Sequence, residues 1–322
     1  MKAIVYHDYG SSDVLRCEEI EKPVAGDDEV LIKVHAASVN PLDWHLMRGT
    51  PYLGRLWFGL LKPKDTRLGR DVAGQVEAVG RNVTRLKPGD EVFGACSGAL
   101  AEYACASESA LAVKPENLTF AQAASVPVAA FTALQGLRDK GRIRPGQKVL
   151  INGAAGGVGT FAVQIAKSFG ADVTGVCSTR NVGMVLSIGA DQVIDYTRED
   201  FTCNGQRYDL ILDCIGNHSL SACRRVLNSQ GIYIVIGGPD GRWIGPLALL
   251  IKALVLSRFV SQSLVMLMAR RSQEDLTVLR ELMEGRKVTP VIDRRYGLSE
   301  VAEAIRYLEE GHARGKVVVT FD

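Results

Sequence analysis

The stretch Gly146 to Lys167, GQKVLINGAAGGVGTFAVQIAK, constrains the fold more than any other part of this sequence. Lys148 to Asn152 is a short apolar run of the kind that forms a buried strand. Val158, Phe161, Ala162, Ile165, Ala166 and Phe169 then recur at the three-and-four spacing of a helix with one buried face. A strand that turns through glycines into a helix brings free backbone amides and the positive end of the helix dipole to one point, a cradle for a dinucleotide pyrophosphate. Gly156 and Gly157 keep side chains away from that point, and Gly159 lets the helix pack closely on the strand it has just left. Ala154 stands in place of the first glycine of the usual GxGxxG. Ala155, Gly156, Gly157 and Val158 are the candidate phosphate contacts.

A glycine turn of this kind also occurs with no ligand, so its surroundings decide what it means. Downstream, Asp172 to Cys177, Gln192 to Asp195, Tyr208 to Asp213 and Gly231 to Ile236 are short β-branched runs separated by stretches able to form helices. That alternation predicts an α/β fold with a Rossmann doubly wound parallel sheet, which we expect over residues 122–270. Residues 1–121 read instead as a β-rich domain, with alternating strands such as Glu29 to His35 and Asp71 to Val79 punctuated by glycine, proline and aspartate. Thr119, with Gln122 three positions on, forms a capping box at the boundary and opens a helical stretch through Val126 to Arg138. Residues 271–322 are expected to return to the first domain. They offer a helix with Leu276, Leu279, Leu282 and Met283 on one side, a strand-like VTPVID, a helix from Ser299 and a strand from Lys316 to Phe321.

The chain has 322 residues, enough for two domains, and 38 basic against 36 acidic residues leave a formal charge of +2. No basic block could neutralise a row of phosphates, so nucleic acid is not expected as a partner. The cysteines at 17, 96, 105, 177, 203, 214 and 223 form no CxxC pair or tight cluster. Neither a disulfide framework nor a zinc knuckle is expected, and a reducing, cytoplasmic location fits. The sequence opens directly on the strand-like KAIVYHDYG, with no visible targeting signal. Pro246 to Met268 is apolar, but Lys252 and Arg258 lie inside it, each costing about 2.5 to 3.5 kcal/mol at a bilayer centre, so no span is expected. We read the segment as a buried helix and a strand from Gln262 to Met268 at a subunit contact, with peripheral membrane association as the alternative.

These residues resemble the zinc-independent quinone oxidoreductase branch of the medium-chain dehydrogenase/reductase superfamily, the branch typified by zeta-crystallin, over nearly the whole chain. The fingerprint is Gly146, Gln147, Leu150, Ala154, Ala155, Gly156, Gly157, Gly159, Gln164 and Lys167. GRDVAGQVEAVG at 69–80 and VTRLKPGDEVFG at 83–94 resemble the GroES-like catalytic domain of the same superfamily. Within it, the chain looks most like the group containing chloroplast-envelope quinone oxidoreductase homologues and a mitochondrial reticulon-interacting protein. The resemblance implies that Asn40 and Arg70 stand where zinc-dependent members carry a cysteine and a histidine ligand, and the loop from Ser97 to Ala106, with only Cys96 and Cys105 at hand, lacks a structural zinc lobe. No metal is expected.

In a Rossmann domain that prefers NAD, an acid after the second strand binds the ribose hydroxyls. Here Ser178, Thr179 and Arg180 follow Cys177, offering two hydroxyls and a guanidinium for a 2′-phosphate, and NADPH is the expected cofactor. Further cofactor contacts implied by the resemblance are Tyr196 near the adenosine phosphate, Cys214 and Ile215 after the fourth strand, Gly237 and Gly238 after the fifth, Asn40 and Thr132 flanking the nicotinamide, and Lys316 close to the cofactor. A protein without a Lewis acid suits conjugated acceptors, because hydride addition to a quinone or enone leaves an anion that hydrogen bonds can stabilise. Asn40 and Tyr52 are the candidate catalytic residues, Asn40 as an amide donor to substrate or ribose and Tyr52 as a phenolic proton source, with water able to serve equally. The aromatics of RGTPYLGRLWFG, around Tyr52, either line an apolar pocket or pack internally. The expected activity is NADPH-dependent reduction of quinones or α,β-unsaturated carbonyl compounds by a homodimer. Two alternatives stay open: a zinc-free NADP-dependent alcohol or aldehyde dehydrogenase, and a cofactor-binding interaction protein with little turnover.

Overall fold

The computed structural model describes residues 1–236 and 261–321. They form two compact units, one comprising residues 1–131, 271–286 and 290–322 and the other residues 132–270 and 287–289. The second unit therefore begins at Thr132 rather than 122, and it takes back a short piece at 287–289 from the returning C-terminal region.

The second unit is built on six parallel strands in the spatial order Gln192–Asp195, Asp172–Cys177, Lys148–Asn152, Tyr208–Asp213, Leu227–Val235 and Ser263–Met266. The first strand in sequence lies inside and the chain winds outward both ways, the doubly wound order that leaves a crevice at the carboxyl ends. Leu150, Val176, Ile211 and Tyr233 pack together in its core. The helix Gly157–Ser168 departs from the single-faced stripe expected of it, since every residue from Gly159 to Ala166 is buried. Its two polar members are satisfied inside: Thr160 Oγ1 donates to Gly157 O at 3.2 Å. Gln164 Nε2 donates to Thr160 O and Thr289 O, while Gln164 Oε1 accepts from Thr289 N. The last two bonds explain why residues 287–289 belong to this unit. Phe161 and Ile165 are fully buried in the same helix, each stabilising the fold by about 1.5 to 3 kcal/mol relative to exposure.

The first unit contains a sheet in the order Ile292–Gly297, Lys316–Thr320, Glu29–Val39, Asp71–Val79, Glu91–Ala95 and Leu111–Val113, with Tyr103–Ser107 also paired to Glu29–Val39. The strand Lys316–Thr320 pairs antiparallel with Glu29–Val39, so the end of the chain does return to the first unit. The expected strand VTPVID is displaced to Ile292–Gly297, because Pro290 has no backbone donor for a ladder. The capping box at Thr119 is formed, with Thr119 N donating to Gln122 Oε1 at 3.0 Å and Gln122 N donating to Thr119 Oγ1 at 3.2 Å. It heads the helix Phe120–Ala124, which is followed by a second helix, Pro127–Leu134.

The apolar strand expected from Gln262 is present as Ser263–Met266 and occupies one edge of the parallel sheet. The rest of that segment, 246–260, lies outside the described residues, as do Gly237 and Gly238. No described helix is long and apolar enough to cross a membrane.

Candidate active site

In the second unit the strand Lys148–Asn152 ends at Gly153, which adopts φ +84° and makes the sharp turn. Gly153 therefore does what a first motif glycine does, and Ala154 next to it is fully buried. The helix begins after Gly156, so its first amides, Gly157, Val158 and Gly159, have no intrahelical acceptor and point toward the turn. A Cβ on Gly159 would stand 2.1 Å from Gly153 O, so helix and turn touch through bare backbone. Only glycine permits this approach. Ala155, Gly156, Gly157 and Val158 thus lie together at one helix entrance, as a pyrophosphate cradle requires.

The neighbouring strand ends supply the rest. Ser178, Thr179 and Arg180 follow the strand Asp172–Cys177, with Thr179 and Arg180 exposed. Sequence reasoning missed Asp195, which ends the adjacent strand. Thr179 Oγ1 donates to Asp195 Oδ2 at 2.5 Å, and Thr197 Oγ1 donates to Asp195 Oδ1 at 2.8 Å. Those hydroxyl bonds hold the Asp195 carboxyl below the usual carboxylate range. The Thr179 proton is thereby committed, which removes Thr179 as a phosphate donor. Ser178 Oγ accepts from Asn181 Nδ2 at 3.2 Å, and among the described residues its own proton has no acceptor. Arg198, at 3.7 Å from Asp195, adds a second guanidinium to Arg180. Tyr196 is 58% exposed at the same strand end, available to a ligand rather than packed.

Cys214 and Ile215 lie on a loop whose shape is set by Asp213, which is fully buried. Asp213 Oδ1 accepts from Asn152 Nδ2 at 2.8 Å and from the amides of Ile215 and Gly216 at 3.0 and 2.8 Å; its Oδ2 accepts from Tyr233 Oη at 2.7 Å. Burial pushes the Cys214 thiol up, so it is protonated and unreactive at neutral pH. Asp213, Asn152 and Tyr233 were invisible as a group in the sequence because their partnership crosses three strands. Thr132 is buried, at the start of this unit.

In the first unit, the pairing of Ser38 with Asp71 and of Val39 with Val317 brings three strand ends to one place. There Asp71 Oδ2 accepts from Ser38 Oγ at 2.7 Å, Asn40 Nδ2 at 2.9 Å and Lys316 Nζ at 3.2 Å, and its Oδ1 accepts from Val128 N at 2.9 Å. Lys316 Nζ also donates to Asn40 Oδ1 at 2.5 Å. The structure thus joins Asn40 and Lys316, expected separately, through Asp71, which was not expected at all. It also changes the role of Asn40, whose amide was read as a donor to substrate or ribose. One N–H is spent on Asp71 and the other faces Ser38 O at 3.4 Å. What Asn40 can still offer a ligand is an acceptor lone pair, and the spare donor of the group is the third proton of Lys316.

Asp43, buried in the helix Pro41–Arg48, accepts from Asn40 N at 2.7 Å and Gly69 N at 3.2 Å. Burial, reinforced by the Asp71 charge, pushes its carboxyl up to about 6 despite those bonds. Tyr52 is half-buried on the turn Tyr52–Gly54, with the Arg55 guanidinium 4.8 Å from its ring. The aromatic segment after it is not packed internally: Leu56, Trp57, Phe58, Leu60 and Leu61 are all exposed, Trp57 at 71%.

The donors around Asn40 do not fit a divalent metal. Of the two carboxylates present, Asp71 is already paired with an ammonium and Asp43 is taken up by two backbone amides, while Arg70 carries a further cation, with Nη1 bonded to Ser97 Oγ. Zinc needs three or four thiolate, imidazole or carboxylate ligands. Among the described residues no three such side chains gather.

The family models described as alcohol dehydrogenase GroES-like domain and zinc-binding dehydrogenase match residues 26–116 and 188–319 respectively. The second description names a metal that the residues above would not hold. The chain is 37% identical to a 2-methylene-furan-3-one reductase of Solanum lycopersicum over 99% of this chain and 79% of that protein. It is 38% identical, with the same coverage, to a chloroplastic NADPH-dependent alkenal/one oxidoreductase of Arabidopsis thaliana. The quinone oxidoreductase structure from Coxiella burnetii matches with a TM-score of 0.89 at 31% identity, over 100% of this chain and 99% of that one. Glycine turn, sheet order and relatives agree: this chain belongs to the quinone oxidoreductase branch of the medium-chain dehydrogenase/reductase superfamily, a family of oxidoreductases.

Proposed function

We propose that the protein reduces quinones or α,β-unsaturated carbonyl compounds with NADPH and without a metal. The observation that carries this reading is the Asp71, Lys316 and Asn40 cluster, where a buried ammonium occupies the place at which a Lewis acid would be needed. NADPH, when bound, supplies a hydride. The amides of Gly157 and Val158 hold its pyrophosphate, while Ser178, Arg180 and Tyr196 line its adenosine phosphate. Asn40 and Thr132 border the nicotinamide, as the resemblance implies, and we place Lys316 beside them because it bonds Asn40 directly. An ammonium can stabilise the negative charge that develops on an enone or quinone oxygen, worth far less to a simple alcohol, which needs deprotonation. The relatives whose names specify alkenal/one and furanone reduction support the same acceptor class.

The test is NADPH oxidation across quinones, enones and simple aldehydes, with and without a chelator. Turnover of enones or quinones that is insensitive to chelator is the expected result. Chelator-sensitive turnover, or a preference for simple aldehydes, defeats the proposal, and tight NADPH binding with no turnover on any acceptor favours a binding role. We further propose a homodimer joined through Ser263–Met266, the edge strand of the parallel sheet among the described residues, which light scattering of the purified protein tests. A reducing, cytoplasmic setting suits the seven unpaired thiols, and cell fractionation tests it.

A further inference from the structure

We infer that Asp71 is a positioning residue of the reaction, acting through Lys316 and Asn40; this rests on the proposal that those two residues border the nicotinamide. An asparagine amide has two nearly isosteric orientations, and hydrogen bonding alone chooses between them. Here the choice is imposed by charge. Asn40 Nδ2 faces the Asp71 carboxylate and Asn40 Oδ1 faces the Lys316 ammonium, 2.9 and 2.5 Å away. Rotating the amide by half a turn would set an oxygen against a carboxylate and an N–H against an ammonium. Both contacts are buried, where charges are poorly screened, so the flipped state is excluded.

Lys316 is fixed in the same way. Its side chain is 3% exposed, and Asp71, fully buried, is its counter-ion at 3.2 Å. Two ammonium protons are engaged, and the third is aimed by the geometry of the first two. Asp71 cannot drift, because Ser38 Oγ and Val128 N hold its two oxygens from separate elements. Asp43 and Arg70 also act electrostatically on this cluster, Asp43 from the helix that Asn40 begins and Arg70 from the residue before Asp71. Asp71 therefore fixes the position of the Lys316 ammonium and the direction of the Asn40 acceptor without touching a ligand.

Asp71→Asn tests this. The change keeps the size of the side chain and removes the counter-ion that holds the Lys316 ammonium and orients the Asn40 amide. We expect kcat to fall about 10- to 100-fold, the loss that follows from misplacing reacting groups by about an ångström, with NADPH KM changed much less. A side chain that served stability alone would not lower kcat apart from KM in folded protein. If Asp71→Asn does not fold, Ser38→Ala removes one bond to the same carboxylate oxygen; we expect a lowered melting temperature and a kcat lower by about tenfold or less in protein still folded at the assay temperature.

Lys316→Met and Asn40→Ala, measured alongside by NADPH fluorescence titration and turnover, separate the two levels of the argument. If neither alters NADPH binding or kcat, the placement of the nicotinamide is wrong. If both slow turnover while folded Asp71→Asn, or Ser38→Ala in its stead, keeps the wild-type kcat, the inference about Asp71 is overturned.

Discussion

Replacing Gly159 with alanine should damage cofactor binding more than any other single methyl added to the turn. The new Cβ would lie 2.1 Å from Gly153 O and 2.8 Å from both Cα and C of Ala154, against a practical limit of 3.0 Å. All three neighbours are backbone, so no rotamer change relieves the overlap, and the helix must move by about an ångström. Overpacking of this kind costs about 1 to 3 kcal/mol, and the upper end applies where nothing can yield. Alanine's better helix propensity returns about 1 kcal/mol, leaving a net loss near 2 kcal/mol. Because the displaced helix carries the phosphate-facing amides, the same shift should weaken NADPH by about tenfold or more. Gly146→Ala is the control: unlike the helical Gly159 it lies at positive φ, +77°, but its Cβ would meet nothing within 4 Å. It should lose about 1 to 2 kcal/mol of stability from backbone strain with an unaltered dissociation constant. Urea unfolding followed by circular dichroism, paired with NADPH fluorescence titration, measures both quantities. Gly159→Ala protein that binds NADPH like wild type, or Gly146→Ala protein that binds it equally poorly, would refute the reasoning.

Arg180→Glu should raise KM for NADPH far more than for NADH in steady-state assays with either cofactor, and equal increases would remove Arg180 from the phosphate site. Tyr233→Phe deletes the 2.7 Å bond to Asp213 and leaves a buried carboxylate oxygen short of a donor; a loss of about 1.5 to 3 kcal/mol is expected in chemical denaturation. Asp43 has a carboxyl pushed from 3.8 to about 6 in the folded protein, so the fold favours its protonated form. Its contribution is therefore greatest below about pH 4 and is lost as pH rises toward 6, and Asp43→Asn should lack this decline in melting temperature across the same range.

The sequence was most readable where each element carries its own signal. Asp172–Cys177, Gln192–Asp195 and Tyr208–Asp213 are the strands expected, because β-branched apolar runs declare buried parallel strands locally. Leu227–Val235 begins earlier than expected, through an irregularity: Leu227 pairs with Tyr208, and regular pairing resumes only at Ile232 opposite Leu210. The helix Gly157–Ser168 showed an apolar face, but Thr160 and Gln164 are buried by specific partners that periodicity does not reveal. In the site, the residue types were visible and their directions were not. Asn40 looked like a donor until its partners, 31 and 276 positions away, were known. Thr179 looked like a phosphate ligand until Asp195 was found to hold its proton. The exposed aromatic segment after Tyr52 was undecided between packing and lining a pocket, and its exposure excludes packing.

The strand Lys316–Thr320 gives the first unit a particular order of assembly. Asp71 and Lys316 are separated by 245 residues, which at about 5 to 20 residues per second takes roughly 12 to 50 s to synthesise. During that interval all six strands of the parallel sheet, the last of them Ser263–Met266, are synthesised. The first unit meanwhile has a carboxylate without its cation and a sheet still missing the strand that pairs with Glu29–Val39. If Lys316 borders the nicotinamide as proposed, the turn proposed to hold the dinucleotide phosphates is made well before the group that completes the reacting end.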